Sequence, residues 1–136
     1  MKIPKHRLSA GAIVRDEYQH ILLIKNKYRG WEYPGGFVNN RESIQDGAIR
    51  EVEEETGIQV KIIDLIGVYQ NKQASSCHFL FFATPLSGQL KFNDESEGIG
   101  YFTIEEALQM ISQTTCKERV LHSTHENNWP YLYINS

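Results

Sequence analysis

Glu51, Glu54 and Glu55 are spaced so that a helix would carry all three carboxylates on one side. At roughly 100° per residue, Glu51 and Glu55 stand about 40° apart and Glu54 lies about 60° to the other side of Glu51. Like charges at these separations repel and weaken a helix by a few tenths of a kcal/mol per pair. Glutamates in the last turn also oppose the helix dipole, so local stability does not account for their placement. A hard divalent cation would compensate them, because Mg2+ and Mn2+ take oxygen ligands and are held by a few carboxylates together with water and phosphate. A solvated acidic face is the plainer reading of the same three residues, and spacing alone does not separate the two.

A helix must hold these side chains, and the local signals for one are present. Ser43 stands where an N-cap belongs, Asp46 follows three residues later in an imperfect capping box, and Gly57 stands where a C-cap belongs. Ile44, Ala48 and Val52 recur every fourth residue and Ile49 widens the stripe, so one face is apolar and should pack on the domain. Just upstream, Pro34-Gly35-Gly36 would let the backbone approach a metal or phosphate closely.

The fixed positions Gly36, Glu42, Arg50, Glu51, Val52, Glu54, Glu55, Gly57 and Ile58 together resemble the signature of the Nudix hydrolases. Trp31-Glu32-Tyr33-Pro34-Gly35-Gly36 is similar to that family's entry segment, and Tyr101-Phe102 with Glu105-Glu106 resembles its late elements, so the resemblance spans residues 7 to 112. Asn39 and Arg41 replace residues common in the family, and Asn39 could alter how a second metal or a phosphate is held. Tyr33 and Tyr101 replace Leu and Trp and preserve bulk.

The resemblance implies an α/β (α+β) fold, a mixed sheet sandwiched between helices. It also implies a divalent-metal-dependent pyrophosphohydrolase of MutT-like type, using Mg2+ or Mn2+, that cleaves a nucleoside diphosphate linked to another group and releases a nucleoside monophosphate. Glu51, Glu54, Glu55 and Gly36 would hold the metal, with Glu54 or the downstream Glu95 or Glu97 accepting a proton from water. Arg50 and Glu42 would orient the glutamates. Gly35, Gly36, Arg29 and Lys27 would face substrate phosphates, although the Lys25 to Arg29 stretch reads equally as a solvated basic hairpin. A homodimer is compatible with the family pattern. An RNA 5′-end pyrophosphohydrolase and a noncatalytic nucleotide-sensing module remain the alternatives.

Composition fits one enzyme domain spanning residues 1–136. The chain has 136 residues, 40% hydrophobic and 23% charged, enough to bury a core. A net charge of −3 argues against bulk nucleic-acid binding, which usually relies on a basic field. The sequence has neither a bilayer-length apolar run nor the apolar core of a signal peptide, so a cytoplasmic location is expected. Cys77 and Cys116 read as reduced, buried thiols, and His122 and His125 as surface residues.

Alternation and apolar runs predict strands over 8–15, 21–24, 60–69, 77–84 and 99–102, with a hairpin turn at Asp16 to Gln19 and turn chemistry at Pro85 to Gly88. Helices are expected over 104–112 and 117–125. Tyr69, Phe79, Phe81 and Tyr101 could stack on a base or fill the core. The tail from Trp129 to Tyr133 could pack on the domain or on a second subunit.

Overall fold

The computed structural model describes residues 2–135. Its strands are β1 (Arg7–Val14), β2 (Ile21–Asn26), β3 (Gly30–Glu32), β4 (Gly35–Phe37), β5 (Ile58–Asn71), β6 (Ser76–Gly88), β7 (Ser96–Phe102) and β8 (Tyr131–Asn135), and its helices are α1 (Ile44–Thr56), α2 (Ile104–Met110) and α3 (Thr114–His122). One five-stranded sheet has the order β4-β1-β6-β5-β8, mixed because β1 runs parallel to β6 and β8 parallel to β5. A three-stranded antiparallel sheet, β3-β2-β7, lies beside it.

Period-two side chains explain the layering. Along β1 and β2, Ile13, Ile21 and Leu23 turn to one face and pack with Ala107, Ile111 and Val120 of α2, its C-cap and α3. Ala12, Val14 and Leu22 turn to the other face and meet Val52 of α1. Both faces of these strands are therefore buried, which is why Ile21-Leu22-Leu23-Ile24 reads as a continuous apolar run. The result is the expected sandwich of helices around mixed β structure.

Several expectations need correction. Asp16 to Gln19 does form a turn, with the Gln19 amide donating to the Asp16 carbonyl at 3.1 Å, but β1 and β2 then diverge into separate sheets and share only an Arg15–Ile21 bridge. Pro85 to Gly88 is not a turn; it continues β6, pairing with Ile58 to Val60. Proline is tolerated there because the β5 register slips between Gln59 and Val60, a bulge where a missing N–H costs little. His122 is not a simple surface residue. Its ring stacks on Tyr131 at 3.9 Å between centroids, and its Nδ1 is 2.7 Å from the Tyr69 hydroxyl.

The tail packs on the domain: Trp129 joins the α2/α3 core, and β8 extends the edge of β5. Cys116 is buried and Cys77 only partly so, both as free thiols. Tyr69 and Phe81 are buried, while Phe79 and Tyr101 pack against the clusters, so these aromatics serve the core. Among the described residues, no helix is long and apolar enough to cross a membrane.

Candidate active site

Helix α1 starts where Ser43 Oγ accepts from the Asp46 amide at 3.0 Å and ends where Gly57, at φ 82°, donates to the Glu53 carbonyl. The left-handed cap turns the chain straight into β5. Ala48 and Val52 are buried beneath the helix, which leaves Glu51, Glu54 and Glu55 on the face toward β4 and the cleft. The backbone of β4 comes close to them. A Cβ on Gly36 would lie 2.5–2.7 Å from the Glu51 carboxyl atoms, so no other residue type fits without displacing that carboxylate. The Gly35 amide donates to Glu55 Oε1 at 3.3 Å.

The carboxylates are not equivalent. Burial, a hydrogen bond with Glu51 and the Glu51 charge push the Glu55 carboxyl up to about 8, against an ordinary value of 4.5. Glu54 is largely exposed and turns toward Arg50. Arg50 ties the group together. Its Nε and Nη2 donate to the two oxygens of Glu42 at 2.8 and 3.0 Å, Nη2 also donates to the Phe37 carbonyl at 3.0 Å, and Nη1 donates to Glu51 at 3.0 Å and to Glu54 at 3.1 Å. This clasp, with a hydrogen bond from the Asn39 amide, holds the Glu42 carboxyl down at about 2. Arg50 is correspondingly raised, chiefly by its hydrogen bond to Glu42. Gly47 makes the approach possible, since a Cβ there would press within 3.2 Å of the Glu42 carboxylate.

A cleft of about 380 Å³ opens over this face. Its walls include Glu51, Glu54, Glu55, Gly35, Gly36 and, from the opposite side, Glu95. Arg29 also lines it, but its guanidinium is engaged by Glu32 through bonds of 2.9 and 3.1 Å. Lys27 is exposed on the β2–β3 turn and Glu97 is exposed on β7; neither forms part of the wall. The structure thus brings together Glu51, Glu54, Glu55, Gly35, Gly36, Arg50, Glu95 and Arg29, and leaves Lys27 and Glu97 outside. Among the described residues, no three Asp, Glu, His or Cys side chains already converge as a metal cage. The donor chemistry still suits a hard cation: the neighbouring carboxyls of Glu51 and Glu55, held against Gly36 and Gly35, and a third carboxylate within the same helix turn.

Asn26, within the Lys25 to Arg29 stretch, also lines the cleft, and sequence reasoning passed over Glu32, Asn93 and Ser96, which line it too. Glu32 could have been noticed as the polar residue inside an aromatic entry segment, whereas Asn93 lies in a loop and Ser96 at the first position of β7, with no periodic signal. A second cavity of about 220 Å³ adjoins the first across Arg29, Glu32, Gly35 and Gly36 and is closed by Tyr33, His78, Cys116 and Arg119. No local pattern joins residues so far apart in the chain.

Comparison with known proteins agrees with this geometry. The profile of the family described as NUDIX domain matches residues 5–123. A MutT-like protein of Streptomyces ambofaciens is 32% identical over 111 residues, covering 81% of this chain and 72% of that protein. A putative 8-oxo-dGTP diphosphatase of Bacillus subtilis is 42% identical over 81 residues, covering 59% of this chain and 54% of that protein, so the match spans about half of its length. Among solved structures, a NUDIX hydrolase from Nitrosomonas europaea superposes with a TM-score of 0.83 at 27% identity, covering 98% of this chain and 81% of that one.

Proposed function

This chain belongs to the Nudix hydrolase family, whose members act on phosphoric anhydride bonds, and on that premise we propose that it is a divalent-metal-dependent pyrophosphohydrolase of nucleotides or nucleotide conjugates. The observation that carries the reading is the Glu51–Glu55 pair. Two carboxylates held together against Gly35 and Gly36, one of them pushed up to about 8, are compensated either by a shared proton or by a cation.

Glu51, Glu54, Glu55 and the Gly36 backbone would hold Mg2+ or Mn2+. When bound, such an ion supplies positive charge to the phosphate oxygens and acidity to water. The chain's own groups position everything else. Arg50 holds Glu51 and Glu54 in their rotamers and is itself anchored on Glu42. Arg29, at the wall of the cleft, is placed to meet substrate phosphate once its bond with Glu32 is shared. Glu54, exposed between Arg50 and the cleft, or Glu95 across it, takes the proton as water attacks one phosphorus. The bridging oxygen then leaves with the other phosphate, and a nucleoside monophosphate is released. The Bacillus relative's name makes oxidised guanine nucleotides a reasonable part of the substrate panel.

The test is turnover of ordinary and oxidised nucleoside triphosphates, ADP-ribose, NADH, diadenosine polyphosphates and a 5′-triphosphorylated RNA in Mg2+ and Mn2+, with Glu54→Gln alongside and all products resolved. Metal-dependent release of monophosphate, lowered at least about 100-fold in the variant, is expected. Preferred cleavage of the RNA end would support the alternative substrate class. Binding without turnover would support a sensing module.

A further inference from the structure

The second cavity is lined by a guanidinium that pairs with no carboxylate among the described residues. Arg119, on α3, lines it, and none of the ion pairs among the described residues involves this side chain. Its carbon end lies 4.6 Å from the centre of the Tyr69 ring, and its Nε is buried without a hydrogen-bond partner. Arg119 Nη1 reaches the Tyr33 hydroxyl at 3.2 Å, Tyr33 reaches His78 Nε2 at 2.8 Å, and His78 Nδ1 reaches Ser9 Oγ at 2.7 Å.

Arginine only donates, so the Tyr33 oxygen accepts from Arg119. Burial, with Arg119 nearby, pushes the His78 imidazole down to about 3, so the ring stays neutral through the neutral pH range, one nitrogen donating and the other accepting as it links Tyr33 to Ser9. Three residues, from β1, β6 and the β3–β4 link, thus hold the guanidinium of α3 at the wall of a cavity.

Resting on the hydrolase reading above, we infer that Arg119 is a specificity-determining residue. In this assignment it reads two adjacent hydrogen-bond acceptors on an uncharged ring of the substrate, held by the Tyr33–His78–Ser9 relay. Cavity size supports a divided substrate. At about 220 and 380 Å³, each space is at or below the small end of the roughly 300–1,000 Å³ usual for ligand sites, and the two share the Arg29, Glu32 and Gly35-Gly36 wall. Phosphates over the carboxylate face would leave the ring to the Arg119 side.

The unmet group selects the ring edge. Glu32 is already held by Arg29 at 2.9 and 3.1 Å, so Arg119 is the group in this wall still to be satisfied, and a ring that presents acceptors meets it while the phosphates stay with Arg29 and the carboxylate face. Guanine has such an edge, with O6 and N7 as adjacent acceptors. Hypoxanthine keeps O6 and N7, and adenine places an amino donor where O6 stands.

Calorimetric binding of GMP, IMP and AMP to the wild type, Arg119→Gln, Arg119→Lys and Tyr33→Phe tests this assignment. Monophosphates are products, so the result does not depend on turnover; a failed hydrolase reading would appear separately as absent hydrolysis with binding intact. The wild type should bind GMP and IMP at least about tenfold more tightly than AMP. Arg119→Gln should erase that preference, Arg119→Lys should not restore it because a point charge cannot fork across two acceptors, and Tyr33→Phe should fall between. A wild type that does not discriminate overturns the assignment. So does an equal loss for all three nucleotides that lysine restores, which would mark Arg119 as a phosphate anchor. If Arg119→Gln does not fold, Arg119→Lys and Tyr33→Phe decide by the same criteria.

Discussion

Arg50 grips Glu42 through two parallel hydrogen bonds of 2.8 and 3.0 Å, and the same guanidinium reaches Glu51 and Glu54 with its remaining nitrogen. The fork geometry matters more than the charge, since a lysine could meet one of these oxygens but not hold all three carboxylates in register. Arg50→Lys should therefore lower kcat about 10- to 100-fold, the usual range for residues that orient ligands, while circular dichroism stays unchanged. An unaltered kcat would remove Arg50 from the positioning role. The grip also survives acid. A carboxyl held down at about 2 keeps its stabilising charge above the unfolded value of 4.5 and loses it only as pH falls toward 2, so a fall in activity between pH 5 and 7 must arise elsewhere.

Gly36→Ala would place a methyl group 2.5–2.7 Å from the Glu51 carboxyl. The carboxylate or the strand must move, and misplacement of about 1 Å at a reacting centre can cost about 100-fold in rate. Kinetics should show that loss with little change in the melting temperature, because β4 is a three-residue edge strand.

Glu55 makes metal-free stability depend on pH in the opposite direction from Glu42. Its carboxyl is raised from 4.5 to about 8, so the stabilising contribution is fully present below pH 4.5 and is lost as pH rises through 8. Melting curves in chelator should fall over that window, and Mg2+ should restore more stability at pH 8 than at pH 6. For a chain of this size each kcal/mol regained raises Tm by about 3–5 °C. Glu55→Gln should flatten the profile and abolish the metal-dependent gain.

His78 makes a separate contribution. With its imidazole depressed to about 3, it stabilises the fold above the unfolded value of 6.5, and that stabilisation is lost as pH falls toward 3. His78→Gln should flatten chemical-denaturation stability between pH 6.5 and 4, whereas an unchanged slope would contradict the buried neutral assignment.

Thr56 joins helix to strand. It is fully buried, its Oγ1 donates to the Val52 carbonyl at 2.6 Å and accepts from the Ile58 amide at 3.1 Å. Thr56→Val keeps the shape and orphans that amide, so urea denaturation should show a loss of about 1–3 kcal/mol with kcat nearly intact at room temperature.

What could be read in advance follows the range of the interactions. Helix α1 was legible because Ser43, Gly57 and the Ile44, Ala48, Val52 stripe are local signals, and the two-sided burial of Ile21 to Ile24 was legible because it needs no partner to be named. Pro34-Gly35-Gly36 marked a backbone open to close approach by a metal or phosphate, whereas its contact with the Glu51 and Glu55 carboxylates needed the fold to be seen. Strand β8 was not legible, since Tyr131 to Asn135 is a strand only by pairing with Gly67 to Asn71. Pro85 to Gly88 misled because turn residues also serve bulged strands. The Ser9–His78–Tyr33–Arg119 relay was invisible for the same reason as β8: its members meet only after both faces of the sheet are covered.

The central claim is that Glu51, Glu54 and Glu55 form a divalent-cation site, and Mn2+ binding measured by electron paramagnetic resonance at pH 8 tests it most directly. Free Mn2+ should disappear on titration with the wild type, and both Glu51→Gln and Glu55→Gln should weaken that binding at least about tenfold while remaining folded. Wild-type affinity in both variants would place the metal elsewhere and contradict the account.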